Sequence, residues 1–395
     1  MGPRGLKGLP RIVWLLGFAS LFNDVSSEAI FPLLPLYLAS LGGGMRYLGL
    51  VEGAADALAA AVKVVAGRIS DRGPRRLLVV GGYAIPAVAR AGVAAALQPW
   101  QVLGSRLLDR LGKGIRSAPR DALLADAAGE HDTGRAFGLQ RSMDHLGAAI
   151  GPLVASALLA RGLSLGGTFA VAAALGLVAP LVLLVRLKDA PRAAPADPPS
   201  RPAPPGEALP PAFRRYLFLA VLFALGNSTD AFLLARASEV GFSPAAVPLL
   251  WFGHHLVKTV TGAPGGALSD RLPRGWMVAT GWIAFALSYL GFAFARAPWQ
   301  VAALFGFYAL YHGLTEAAER ALVADVIGRG SRGRAFGWYH GLTGLAALPA
   351  GLLTGWLWEA HGSAVALSAS AGLAALAGLG LLASRPLRRT AHAVP

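Results

Sequence analysis

Charged side chains interrupt the long apolar stretches of this 395-residue sequence. Asp24 and Glu28, for example, are four residues apart and would share one face of a helix. An ionised group inside an apolar layer costs roughly 3 kcal/mol or more unless it meets a partner or water, so such groups are candidates for function. We assign the following residues to proton coupling: Asp24, Glu28, Asp56, Arg110 and Asp144.

The second half of the sequence adds histidines, whose charge changes near neutral pH. The polar residues of the second half, together with Glu52 of the first half, predict a substrate cavity. It would be lined by Glu52, Asn227, Asp230, His254, His255, Lys258, His312 and Glu316. A pair formed by Asp56 and His255 across this cavity would suit proton transfer, because each group shifts the protonation of the other. Carboxylates with one histidine would also suit a divalent ion, so that alternative stays open. We assign no metal ligands and no cofactor.

The apolar stretches that carry these residues have the length of membrane spans. Hydrophobic residues make up 55% of the sequence and charged residues 14%, whereas a soluble chain has about 25% charged residues. Because a helix crosses a bilayer with about 20 apolar residues, we predict an all-α integral membrane protein with twelve transmembrane helices. The predicted spans are residues 12–41, 46–67, 76–96, 99–118, 136–160, 165–187, 215–240, 245–267, 275–296, 298–320, 335–358 and 362–384.

The formal net charge of +15 follows the connections between these spans. Arginine and lysine gather before the first span and in every second connection, as with Arg75 and Arg76 after the second span. This positive-inside pattern predicts a multi-pass protein of the cell inner (plasma) membrane with both termini in the cytoplasm. We therefore expect contact with membrane lipid and no nucleic-acid partner. Cysteine is absent, which excludes disulfides and thiolate metal sites.

The two halves of the sequence repeat each other. Residues 67–72, GRISDR, return as GALSDR at 266–271, and the offset of the two aspartates is 270 − 71 = 199. The sequence PWQV occurs at 99–102 and again at 298–301 with the same offset. Because the matching residues are mostly polar, glycine, proline or tryptophan, chance similarity of apolar helices does not explain them.

A proline-rich stretch between the halves cannot form a helix and is typical of an extended linker. The predicted organisation is an N-terminal six-helix bundle at 1–188, a cytoplasmic linker at 189–213 and a C-terminal six-helix bundle at 214–395.

Three segments carry a resemblance to a known family. Residues 67–76, GRISDRGPRR, resemble the Gly-x-x-x-Asp-Arg-x-Gly-Arg-Arg loop of the major facilitator superfamily. Residues 110–114, RLGKG, resemble the motif of that family whose buried arginine is associated with proton coupling. Residues 147–156 resemble its fifth-helix antiporter motif. The resemblance implies a fold of two related six-helix bundles with the site between them.

The same motifs imply a gate formed by Gly67, Asp71, Arg72, Arg75, Asp270, Arg271, Gly151 and Pro152. Pro74 replaces the second glycine of the loop motif, so the turn must be built differently here. Small residues four apart, such as Gly147 and Gly151, also let two helices pack closely, and simple packing remains an alternative to an antiport role.

We expect a monomeric secondary transporter that uses alternating access to export a small organic compound or drug in exchange for protons. Within transporters, the alternative is export of a divalent metal such as nickel or cobalt, or of a small charged metabolite. An alternative of another class is a receptor or scaffold with a transporter fold. The sequence shows neither a nucleotide-binding loop nor a nucleophile with its base, so we predict no ATP-driven step and no enzyme.

Overall fold

The computed structural model describes residues 8–70, 75–187, 209–269, 271–327 and 332–384, which are mostly helical and contain no strand within these ranges. The first half forms α1 (Arg11–Ile30), a 3₁₀ helix (Phe31–Leu33), α2 (Leu34–Ser40), α3 (Met45–Ser70), α4 (Arg75–Ala94), α5 (Pro99–Ala160) and α6 (Leu165–Arg186). The second half forms α7 (Pro211–Gly226), α8 (Ala231–Glu239), α9 (Val247–Ser269), α10 (Arg274–Phe294), α11 (Pro298–Val326), α12 (Arg332–His361) and α13 (Ser363–Ala383).

Every predicted span coincides with helical residues. The spans that carry many charged residues and histidines, however, are less apolar than a typical membrane span. Among the described residues, seven segments are long and apolar enough to cross a bilayer, namely residues 75–94, 135–160, 165–186, 211–239, 274–294, 335–361 and 363–383. The predicted spans outside this set include α1, α3, α9 and α11, which carry many of the charged and histidine residues assigned above.

Helix α5 differs from the two separate spans predicted at 99–118 and 136–160. It contains 62 residues, and a straight helix of that length would measure about 93 Å, about three times the apolar thickness of a bilayer. However, Ser20 Oγ accepts hydrogen bonds from both Arg120 Nη1 (3.4 Å) and Gln140 Nε2 (3.2 Å). These two residues would lie about 30 Å apart in a straight helix. Helix α5 therefore folds back between them and supplies two arms, 99–120 and 140–160, to one bundle.

The first span of each half is interrupted at equivalent positions. Helix α1 gives way to the 3₁₀ helix at Phe31–Leu33, where Pro32 lacks the N–H that would continue the α-helical ladder. Residues 227–230, which match 28–31 at the offset of 199, separate α7 from α8. There Thr229 Oγ1 accepts from the Ala231 N–H at 3.3 Å, a local bond that competes with the helix. The span predicted at 215–240 therefore consists of two helices, and residues 211–239 together are long and apolar enough to cross a bilayer.

The described residues form two compact units. Unit 1 lies within Met1–Gly43, Ala54–Ala194 and Ser243–Phe252, and unit 2 lies within Gly44–Gly53, Pro195–Phe242 and Gly253–Pro395. Most residues of each unit come from one half of the sequence. Helix α7 begins at Pro211, inside the stretch assigned to the linker, because proline fits the first turn of a helix. Residues 189–208 of the predicted linker lie outside the described residues.

In unit 1, α1 and α4 pack against α5 and α6. Apolar side chains from four helices, including Leu16, Tyr83, Leu124 and Leu183, are almost fully buried in its core. Glycine brings α1 and α5 close together: a Cβ atom at Gly147 would lie 2.5 Å from the Leu21 carbonyl oxygen, and one at Gly151 would lie 2.5 Å from that of Val25. The two glycines of the antiporter-like motif thus allow tight helix packing.

In unit 2, aromatic residues fill the space between α7, α10 and α11. Phe223 stacks on Trp282 with ring centroids 4.7 Å apart, and Phe285 stacks on Tyr289 at 4.1 Å. Aromatic pairs contribute about 0.5–1.5 kcal/mol beyond the area that they bury. These rigid rings form the wall behind the polar residues of this unit.

Candidate functional site

An ion pair joins α3 to the first arm of α5. Arg110 Nε lies 3.2 Å from Asp56 Oδ1, and the side chain of Asp56 is 47% exposed whereas that of Arg110 is 12% exposed. The second carboxylate near Arg110 is Asp109, whose Oδ2 lies 3.9 Å from Arg110 Nη1. Arg110 therefore has two carboxylates within reach, one open and one buried. The predicted contact between Asp56 and His255 would join the two units and stays a prediction.

A buried network around Arg90 lies next to this pair. Arg90 Nη2 is 3.0 Å from Asp109 Oδ1, and both side chains are under 5% exposed. Arg90 also donates to the backbone oxygen of Asn23 (3.0 Å) and to its Oδ1 (3.1 Å). Asn23 Nδ2 in turn donates to Asp24 Oδ1 at 2.8 Å. Our site prediction did not include Arg90, Asp109 or Asn23. Arg90, as an arginine inside an apolar stretch, was a signal that buried polar partners lie around it.

The other predicted proton-coupling residues lie where α1 faces the second arm of α5. A Cβ atom at Gly147 would lie 3.0 Å from Asp24 Cβ, and Asp144 precedes Gly147 by one helical turn. Asp144 Oδ2 accepts from Gln140 Nε2 at 2.7 Å. Glu28 Oε2 accepts from the indole of Trp251 in α9 at 2.8 Å. Unit 1 therefore places several carboxylates along α1 and its neighbours.

The predicted gate is only partly within the described residues. Asp71, Arg72 and Asp270 lie outside them, Gly67 lies within α3, and Arg271 is exposed in a turn. Arg75 forms an ion pair with Asp126 of α5. Gly151 and Pro152 are buried in α5, at its contact with α1. The gating role of these residues stays a prediction.

Unit 2 contains a cavity of about 250 Å³ between α7, α10, α11 and α12. Three residues predicted for a substrate cavity line it, namely Asn227, His312 and Glu316. The other lining residues are Ala220, Phe223, Ala224, Trp282, Tyr311, Thr315, Glu319, Tyr339, Thr343 and Ala347. Our site prediction did not include Glu319, although its spacing from His312 and Glu316 places all three on one helix face.

The remaining residues predicted for the cavity are not part of its lining, although one of them, Lys258, borders it. His254 is buried and stacks on Tyr308 at 5.3 Å, with its ring 5.7 Å from that of His255. Asp230 Oδ1 accepts from Tyr308 Oη at 2.6 Å. Lys258 Nζ lies 3.7 Å from Glu316 Oε2 and so borders the cavity.

Two further observations concern the divalent-ion alternative. The side chain of Glu52 in α3 is buried, and the residue does not line the cavity of unit 2. Within the described ranges, no three His, Asp or Glu side chains are grouped so that they could hold a metal ion. The described geometry therefore adds no support for a metal site.

Comparisons with known proteins agree with this architecture. The model of the Major Facilitator Superfamily matches residues 16–253 and 216–395. An uncharacterized MFS-type transporter of Methanocaldococcus jannaschii is 30% identical over 387 residues, covering 95% of each chain. The multidrug resistance protein MdtH of Edwardsiella ictaluri is 31% identical over 132 residues, which is 33% of each chain. The solved structure of a POT family transporter with a thioalcohol-conjugated peptide has a TM-score of 0.80 at 13% identity and covers 98% of both chains.

Proposed function

Because this chain belongs to the Major Facilitator Superfamily, whose members transport small molecules and are not enzymes, we propose that it exports a small organic compound in exchange for protons. The ion pair between Asp56 and Arg110 carries this proposal. It places opposite charges in two helices that we expect to span the membrane, where each charge alone would be costly. We infer that the making and breaking of this pair serve the transport cycle.

Proton binding would release Arg110 from Asp56. A protonated Asp56 is neutral and attracts a guanidinium much less, so Arg110 would turn to Asp109, 3.9 Å away. Asp56 is the more exposed partner, and a proton can reach it more easily than it can reach Asp109. Protonation would therefore shift the arginine between two positions and favour one of two conformations of the protein.

Export of an organic compound is supported by two observations of different kinds. The partial similarity to a multidrug resistance protein covers a third of the chain. The cavity of unit 2 has aromatic walls, which suit an organic molecule better than a bare metal ion.

The proposal is tested with purified protein in liposomes that contain a pH-sensitive dye. We expect an imposed pH gradient to drive candidate organic compounds across the membrane. Protons should move down their gradient in the opposite direction. Asp56→Asn should abolish this proton-driven movement and leave slow, gradient-independent exchange of the compound. Asp121→Asn is a matched control, because Asp121 also pairs with an arginine (2.9 Å) and is 45% exposed. It should retain proton-driven transport.

Three results would contradict the proposal. Proton-driven transport by Asp56→Asn would exclude this carboxylate from coupling. Movement of Ni²⁺ or Co²⁺, but of no organic compound, would favour the metal alternative. Absence of any flux by protein that binds ligand would favour a receptor.

A further inference from the structure

Two threonine hydroxyls that line the cavity of unit 2 donate their hydrogens to backbone oxygens. Thr315 Oγ1 donates to the Tyr311 carbonyl oxygen, and Thr343 Oγ1 donates to that of Tyr339, each at 2.6 Å. Each hydroxyl has one hydrogen and two lone pairs. Both threonines therefore face the cavity as hydrogen-bond acceptors.

Two neutral donors contact Glu319 at the cavity wall. Its Oε1 accepts from the Trp282 indole at 2.7 Å, and its Oε2 accepts from Tyr339 Oη at 3.3 Å. Indole and phenol each have a single hydrogen to donate. These bonds fix the carboxylate in position without adding a donor for a ligand.

The rest of the lining combines aromatic side chains with Asn227, His312 and a second carboxylate, Glu316. Among the described lining residues there is no lysine or arginine, and Lys258 Nζ lies 3.7 Å from Glu316 Oε2 at the border of the cavity. The aromatic rings of the lining belong to Phe223, Trp282, Tyr311 and Tyr339. The two carboxylates favour a ligand that carries positive charge and its own donors, and the rings favour an apolar body.

We propose that this cavity binds a small amine in its cationic form, with the ammonium group on Glu319 and a single ring against the aromatic wall. The ammonium has three donors and a positive charge for the acceptor-rich lining, and cations are attracted to aromatic faces. The cavity volume of about 250 Å³ limits the part of the ligand that it can hold to roughly one ring with a short chain. This inference depends on the proposed function, since the amine would be the exported compound.

Binding is measured by calorimetry on purified protein in nanodiscs, without any gradient. The probes are 2-phenylethylamine, the neutral 2-phenylethanol and the anionic 3-phenylpropanoate. We expect the amine to bind at least about 10-fold more tightly than the alcohol, and the anion to show no binding. Equal affinity for amine and alcohol, or binding of the anion, would overturn the assignment.

Glu319→Gln keeps an oxygen for Trp282 but removes the charge. It should weaken amine binding about 10- to 100-fold, as expected for the loss of a charged hydrogen bond. Glu239→Gln is the matched control, because Glu239 also accepts from an indole, that of Trp358 at 2.9 Å, and does not line the cavity. Its affinity for the amine should equal that of the unmodified protein.

A second variant covers the case in which Glu319→Gln does not fold. Thr343→Leu places a larger side chain into the cavity and should lower amine affinity by a similar factor. Unchanged affinity in Thr343→Leu would overturn the proposal.

The proposed function and this inference can fail separately. Proton-driven transport of other organic compounds without amine binding would disprove only the amine site. Amine binding that depends on Glu319, in protein without proton-driven flux, would disprove only the proposed function. Asp56→Asn should bind the amine normally, because Asp56 belongs to the other unit.

Discussion

Arg90 illustrates how a buried cation is stabilised in this protein. Its guanidinium is bonded to Asp109 through Nε and Nη2 and to two oxygens of Asn23. A charge this deeply buried is tolerated only when nearly all of its donors have partners. The network also fixes Asn23, which donates to Asp24, and so connects a structural charge with a candidate proton site.

Replacing Arg90 by methionine should therefore destabilise the protein. The change removes the shortest ion pair of Asp109 and two hydrogen bonds to Asn23, and we expect the free energy of unfolding to fall by about 3 kcal/mol. The measurement is thermal unfolding in detergent.

The control for this experiment is Arg46→Met. Arg46 pairs with Glu359 at 2.9 Å, but its side chain is 54% exposed. Exposed pairs contribute about 0–1 kcal/mol, so unfolding should change little. Equal losses in the two variants would contradict the stabilising role of burial at Arg90.

Single residues also mark the limit of what the sequence could predict. Asp24 and Asp56 were recognisable as unusual because each is a carboxylate inside an apolar stretch. The sequence did not identify their partners, because periodicity gives the face of a helix but not the helix that it meets. Glu319 was overlooked for that reason: its donors, Trp282 and Tyr339, come from α10 and α12.

At the scale of helices, the contact of α1 with the second arm of α5 depends on glycine. A Cβ atom at Gly151 would lie 2.5 Å from the Val25 carbonyl oxygen and 2.9 Å from the Ala29 nitrogen. Both are backbone atoms, which cannot move without shifting the whole helix. The antiporter-like motif thus has a packing role, and any further role in transport can be tested separately.

We predict that Gly151→Ala lowers the stability of the protein by about 1–3 kcal/mol through overpacking. Gly138→Ala is the control in the same helix, because no atom lies within 4 Å of its added Cβ. It should be neutral or slightly stabilising, since alanine favours helix more than glycine does. Thermal unfolding and transport are measured for both variants. If Gly151→Ala is as stable as Gly138→Ala, packing does not explain the motif.

The helices were predictable because their apolar stretches are long, but two of their features were not. The span at 211–239 has enough apolar residues to cross a bilayer, so hydropathy gave no sign of its break at 227–230. In the first half, Pro32 was a visible signal of an interruption. Helix α5 continues past the end of its first span, and only the shared contact of Ser20 with Arg120 and Gln140 shows the bend.

For the whole molecule, the distribution of Lys and Arg makes a prediction about topology. The connections rich in these residues should lie in the cytoplasm, together with both termini. Green fluorescent protein fused after Pro395 should therefore fluoresce, and alkaline phosphatase at the same place should be inactive.

The matched fusion is made after Gly162, in the turn between α5 and α6. It should show the opposite pattern, with active phosphatase and no fluorescence. Active phosphatase at both positions would mean an even number of spans between them and contradict the predicted topology.

The break at 227–230 has a consequence for hydration. Without a helical ladder, some peptide groups of this segment lack regular partners, and hydrocarbon cannot supply any. Asn227 borders the cavity of unit 2, so water or a polar ligand can reach the segment from there. An acyl chain that entered the cavity would exclude water from this segment, so we expect lipid tails to stay away from it throughout the transport cycle.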